Sequence, residues 1–273
     1  MNAPRDARPT AYVRAIIGTA AFLRAQEAFG ILTEVLRPNQ LRLPYVSFLP
    51  DLSPAVLLWL VGLWAVLALC FATGFQTRVS GLSLALVMGY VLLFDQQSYS
   101  NHLYLLILAT ALLALGNSGA TFSLDARRSD RHAPPRAATV PNWLVLLLRW
   151  QLSMVYFWGA VGKLTVPFLS GDIVREFTQP TIRVWLRSTG SEGAILATIA
   201  GAAIATELFL SVAIWLPRLR YLTLATGAAL HGGMIALFWS SEAAAQIQIF
   251  AVVSLALYLP SFFEGNRPQP QGD

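Results

Sequence analysis

The chain has 273 residues, 56% of them hydrophobic and only 12% charged, with a mean hydropathy of +0.57. A soluble domain carries roughly a quarter charged residues, so this composition excludes an ordinary soluble enzyme and points to an integral membrane protein. The net charge of +5 and pI near 9.7 fit arginines at membrane surfaces, with no nucleic-acid partner expected.

A membrane-crossing helix needs about 20 largely apolar residues. Such stretches recur at 12–33, 54–73, 78–94, 101–117, 143–164, 194–216, 221–239 and 244–262. They predict an all-α, polytopic transmembrane helical bundle of about eight spans, built as a single domain over residues 1–273. The first stretch carries Arg14, Arg24, Gln26 and Glu27, so it is expected to pack against other helices and not to face lipid. Cys70, in the second, is the only cysteine, which excludes a disulfide framework and a cysteine-based metal site.

The third and fourth spans are joined by "FDQQSYSNHLY" (94–104). Asp95 and the two glutamines read as a solvated turn in which an Asn or Ser caps the next helix. Asn101 and His102 stand out, because His102 enters the apolar helix directly. The 118–142 loop is basic and proline-bearing and reads as a flexible cytoplasmic connection, with His132 exposed.

The fifth span ends at Lys163, the only lysine; the other 18 basic residues are arginine. At 3.6 residues per turn, Arg149, Leu152, Tyr156, Gly159 and Lys163 share one helix face, and Gly159 leaves room for a ligand or another backbone. Two readings of Lys163 stand side by side. It snorkels, with its ammonium among headgroups, or it is a base, since a partly desolvated lysine can titrate near neutral pH and an arginine cannot.

The 165–191 segment mixes Ile173, Val174, Phe177, Ile182, Trp185 and Leu186 with charges. It reads as an interfacial outer loop broken at Pro180. Glu207 and His231 then fall in the middle of apolar spans, among small residues that permit close packing. Ionisable groups at such depth point to function. The structural alternative is a polar contact with each other, with Arg149 or with Arg24. Residues 263–273 form a short polar tail.

Arginines bias the N-terminus, the even-numbered connections and the C-terminus toward one side, so a multi-pass protein of the cell membrane with both termini cytoplasmic is expected. This puts Lys163 and His102 at one depth near the outer surface. The three histidines lack metal-ligand spacing, and no metal is expected.

Three stretches in order, "SNHLYLLILATALLALGNSGATFSLDA" (100–126), "LLLRWQLSMVYFWGAVGKLTVPFLSG" (146–171) and "TELFLSVAIWLPRLRYLTLATGAALHGGMIALF" (206–238), resemble the HTTM (horizontally transferred transmembrane) domain family. That family includes the membrane part of vitamin K-dependent gamma-carboxylase, and "VRAIIGTAAFLRA" (13–25) fits its opening. The resemblance implies a quinol-dependent enzyme with a vitamin K-like quinone and a lysine that removes the quinol proton. It places that base on Lys163, the pair that positions the quinone oxygen on Asn101 and His102, and a later membrane histidine on His231. Tyr156, Gly159 and Glu207 are expected to line or support the pocket. The carboxylase carries a large soluble region after its membrane part, and this sequence stops at Asp273. Glutamate carboxylation is therefore not expected of this chain alone, and the second substrate is open. The alternative function is a non-catalytic membrane partner that binds or matures another protein or peptide.

Overall fold

The computed structural model describes residues 4–37, 43–50, 52–129, 138–238 and 244–262. A helix forms at each of the eight apolar stretches. Among the described residues seven are long and apolar enough to cross a membrane, and the eighth, at 101–115, has 15 residues. At 1.5 Å per residue it is about 22 Å long, short of the roughly 30 Å hydrocarbon layer. The chain divides into two compact units, one running to Leu148 and one from Arg149 to Phe262.

The first unit opens with β1 (Arg5–Asp6), followed by α1 (Arg8–Val35), α2 (Pro54–Thr73), α3 (Thr77–Phe94), α4 (Asn101–Leu115) and the short α5 (Leu124–Ser129). β2 (Thr139–Val140) pairs antiparallel with β1, Arg5 opposite Val140. Next comes α6 (Asn142–Gly162), which begins in this unit and runs into the second. Pro54 starts α2 after Ser53, where its missing N–H costs nothing. Gly74, with φ of 71°, ends α2 in the left-handed conformation that glycine adopts freely.

The first helix packs against its neighbours with two of its charges turned inward. Arg14 and Arg24 are 1% and 3% exposed. α1 packs on α2 so closely that a Cβ on Gly18 would stand 2.6 Å from the Ala72 backbone. Small residues allow this approach, and in a membrane close van der Waals packing is what holds helices together. Trp64 of α2 closes the same seam by donating its indole N–H to the Ala21 carbonyl at 2.8 Å.

Two connections differ from their sequence reading. Asp95 is fully buried and is no solvated turn. Its carboxylate accepts the N–H groups of Gln97 and Leu43, each at 2.8 Å, pinning the incoming loop to the turn before α4. The part of the 118–142 connection before residue 130 is also more built than a flexible loop. Phe122, at a left-handed φ of 45°, offers its carbonyl to the Arg14 guanidinium at 2.6 Å. Asp125 then caps the start of α3, accepting the Gln76 N–H, the Thr77 N–H and the Thr77 hydroxyl at 2.7–2.8 Å. His132 lies outside the described residues, as does the 263–273 tail.

The Asp125 cap makes stability pH-dependent. Burial by itself would push the carboxyl up, but the Thr77 and Gln76 donors and the Arg128 charge together hold it below the ordinary aspartate range. The folded value is thus lower than the unfolded one. The cap contributes fully above the ordinary aspartate range, and its contribution fades as pH falls through the lowered folded value. Asp125→Ala is expected to cost about 0.5–2 kcal/mol at neutral pH. In thermal melts of detergent-solubilised protein, the gap to wild type should close in strong acid; a gap independent of pH would show that the carboxylate charge is irrelevant.

In the second unit α6 is followed by α7 (Val166–Leu169), α8 (Asp172–Phe177) and α9 (Pro180–Ser188), then α10 (Glu192–Ala213), α11 (Arg220–Phe238), α12 (Ala244–Ala256) and α13 (Leu259–Phe262). The 165–191 segment is therefore three short helices, with Pro180 starting the third. Val174 and Leu186 sink into an apolar cluster with Leu196 and Ala200 of α10, while Val184 and Trp185 face outward at 68% and 63% exposure. The segment is tied to the end of α11 by the Gln179 N–H, which donates to the Leu237 carbonyl at 3.0 Å.

Candidate functional site

Lys163 and Tyr156 lie on one face of α6, and Glu207 and His231 of the second unit come to meet them there. Leu152 and Tyr156 are buried on that face. The helix ends at Gly162, and the Lys163 N–H turns to the Ala160 carbonyl at 3.1 Å. The Gly159 carbonyl is left without its usual i+4 amide, one of the orphan acceptors of a helix end. The Lys163 ammonium folds back to fill it at 3.1 Å, placing positive charge where the helix dipole favours it.

The same ammonium donates to both carboxylate oxygens of Glu207, each at 2.8 Å. An ammonium has three N–H groups, and Lys163 has three acceptors: one carbonyl and two carboxylate oxygens. The Lys163 side chain is 28% exposed and that of Glu207 9%. Lys163 is thus engaged in an ion pair, and the snorkelling reading does not describe its head group. Its remaining surroundings are apolar, with the Phe168 ring centroid 5.9 Å from Nζ and Leu164 and Val166 exposed beside it.

Gly159 acquires a different use from the one expected. A Cβ there would stand 3.4 Å from Glu207 Oε2. That is ordinary van der Waals contact, so the space expected beside Gly159 is faced by the Glu207 carboxylate. The two helices are also joined one turn further on. The Ser153 hydroxyl donates to the Ser211 carbonyl at 2.6 Å, and the Trp215 indole donates to Ser153 at 3.2 Å. Arg149 is not the partner of Glu207. It donates to the Ser261 carbonyl at 2.8 Å and lies over the Trp215 ring. Arg24, the other candidate, pairs with Glu27.

His231 does not meet Glu207 either. Its Nε2 lies 2.9 Å from the Tyr156 hydroxyl, and the Tyr258 hydroxyl donates to Tyr156 at 2.9 Å. All three are at most 1% exposed. A hydroxyl carries one proton and two acceptor sites, so Tyr156 can join both neighbours at once. Gly227 makes the chain possible, since a Cβ there would come 2.8 Å from the Tyr258 hydroxyl. Tyr258 was not among the residues expected from sequence. Its only signal is a tyrosine hydroxyl inside an otherwise apolar span, "SLALYLP".

Asn101 and His102 belong to the first unit and begin α4. Ser100 is the cap, accepting the Leu103 N–H at 3.1 Å. It also receives the Arg24 guanidinium at 3.3 Å, so the buried arginine of α1 braces the start of α4. Asn101 is exposed and accepts the Tyr99 hydroxyl at 2.9 Å, while His102 is half-buried.

Apolar helices of spanning length, with a lysine–carboxylate pair and a buried tyrosine–histidine chain between them, define a polytopic membrane protein with ionisable groups set inside its helices. Residues 2–266 match the family model of the HTTM domain, and the chain belongs to that family. No solved structure matches it.

Proposed function

We propose that the protein is a quinol-dependent membrane enzyme in which Lys163 removes a phenolic proton. The observation that carries this reading is the Lys163–Glu207 pair. The chain's single lysine sits part-exposed at a helix end, both oxygens of a nearly buried carboxylate 2.8 Å from its Nζ. The donor set fits such a ligand. A part-exposed ammonium with the Phe168 ring centroid 5.9 Å away, next in sequence to the exposed Leu164 and Val166, suits a hydroxyl carried on an apolar ring. When bound, a quinol supplies an acidic hydroxyl and two electrons for dioxygen.

The chain's own groups then have distinct tasks. Lys163 Nζ receives the proton, which no arginine can do. Gly159 and Glu207 hold Nζ in place. The Tyr258–Tyr156–His231 chain fixes the α6 face two turns before Lys163.

Mass spectrometry of an organic extract of the purified protein tests the reading. A quinone is expected to co-purify, and Lys163→Met is expected to weaken menadione binding. An empty extract together with unchanged affinity would remove the proposal. Counting the 15-residue α4 as an eighth crossing, we place both termini in the cytoplasm on the arginine bias; digestion of an N-terminal tag in sealed, right-side-out cells would contradict this.

A further inference from the structure

Lys163 as found has no lone pair to offer. Its three acceptors, the Gly159 carbonyl and the two Glu207 oxygens at 3.1, 2.8 and 2.8 Å, account for all three protons of an ammonium. A base in this state must first lose a proton, and the group already bonded to that proton is the Glu207 carboxylate.

We infer that Glu207 is the proton acceptor of the site, acting through Lys163. This rests on the quinol-activating reading and adds the residue in which the proton ends. The sequence of bonds balances without an external acid or base. An N–H bond of Lys163 breaks as an O–H bond forms on Glu207, leaving amine and carboxylic acid. The substrate's phenolic O–H bond then breaks as a new N–H bond forms on Lys163. The pair ends with one proton more than it began: Lys163 is again an ammonium and Glu207 is an acid.

Burial suits Glu207 to this part. Its carboxylate, with 9% of the side chain exposed, is shielded from water and turns both oxygens to the Lys163 ammonium. Lys163, at 28%, is the member of the pair that a ligand can reach. Gly159 contributes its carbonyl, which holds Nζ at 3.1 Å while both Glu207 oxygens stay at 2.8 Å. Glu207 is a positioning residue in the sense that it never touches the substrate.

The sole lysine makes the test direct. Protein grown with nitrogen-15 lysine gives one Nζ resonance, from Lys163. Infrared difference spectra recorded on adding menadiol report any new carboxylic acid. The expected result is a new acid C=O band in wild type, absent in Glu207→Gln and displaced in Glu207→Asp, while the Nζ resonance remains that of an ammonium. Menadiol-dependent dioxygen uptake should fall about 100-fold in Glu207→Gln, the usual scale of acid–base catalysis, with menadiol affinity retained. The aspartate variant keeps the test alive if the glutamine variant does not fold.

The acceptor role is overturned, and the base reading survives, if no acid band forms and the Nζ resonance converts from amine to ammonium. If neither signal responds to menadiol, the base reading itself fails. An acid band that persists in Glu207→Gln assigns the proton to another carboxyl and overturns the inference.

Discussion

Lys163→Arg is expected to abolish quinol-dependent activity while leaving the fold intact. Arginine can keep a two-pronged contact with Glu207, whose oxygens both lie 2.8 Å from the present Nζ. Its guanidinium does not give up a proton in a protein, so it can hold the pair together and cannot act as a base. Menadiol-dependent dioxygen uptake should drop about 100-fold or more, with a melting temperature close to wild type. Lys163→Met should lose the same activity for a different reason. It leaves the Glu207 carboxylate buried without its partner, a change that costs about 3–5 kcal/mol when a buried pair is broken. The two variants separate chemistry from structure. An arginine variant that turns over at the wild-type rate would show that Lys163 provides charge alone.

Tyr156→Phe is expected to be the most destabilising single-atom change in the second unit. Tyr156 is the middle of a chain, so removing its hydroxyl strips both the Tyr258 donor and the His231 acceptor of their mutual partner, in a place at most 1% exposed. Leaving a buried polar group unsatisfied costs about 1–3 kcal/mol each, so the loss should be roughly twice that of Tyr258→Phe, which orphans only the acceptor side of Tyr156. Thermal unfolding of both variants measures the ratio. Equal losses would mean that His231 gains nothing from Tyr156 and that the chain is two independent contacts.

Much of the fold was legible because the membrane imposes it. A backbone in hydrocarbon must satisfy its own hydrogen bonds, so long apolar runs become helices almost without regard to what surrounds them. Each of the eight stretches read from sequence became a helix. The exception in length is α4, which stops at Leu115, where Gly116 follows and Asn117 takes a left-handed φ of 61°. The connections were less legible. Asp95 and the 118–142 segment read as solvated and flexible because their composition is polar. Asp95 and Asp125 instead collect backbone N–H groups from other segments, and composition carries no record of such long-range caps.

The candidate site divides in the same way. The sequence by itself determined that Lys163, Glu207 and His231 are anomalous, because each is an ionisable group in or beside a stretch where ionisable groups are expensive. It also determined that Tyr156, Gly159 and Lys163 share a face, since that follows from helical period alone. Only the tertiary structure decided partners. Glu207 met Lys163, with Arg149, Arg24 and His231 each engaged elsewhere, and His231 met Tyr156 and through it Tyr258. The reason is that period fixes direction around one helix axis, whereas pairing depends on how far each helix is shifted and rotated against its neighbour. Gly227 shows one such setting, since its missing side chain lets Tyr258 come within reach of Tyr156.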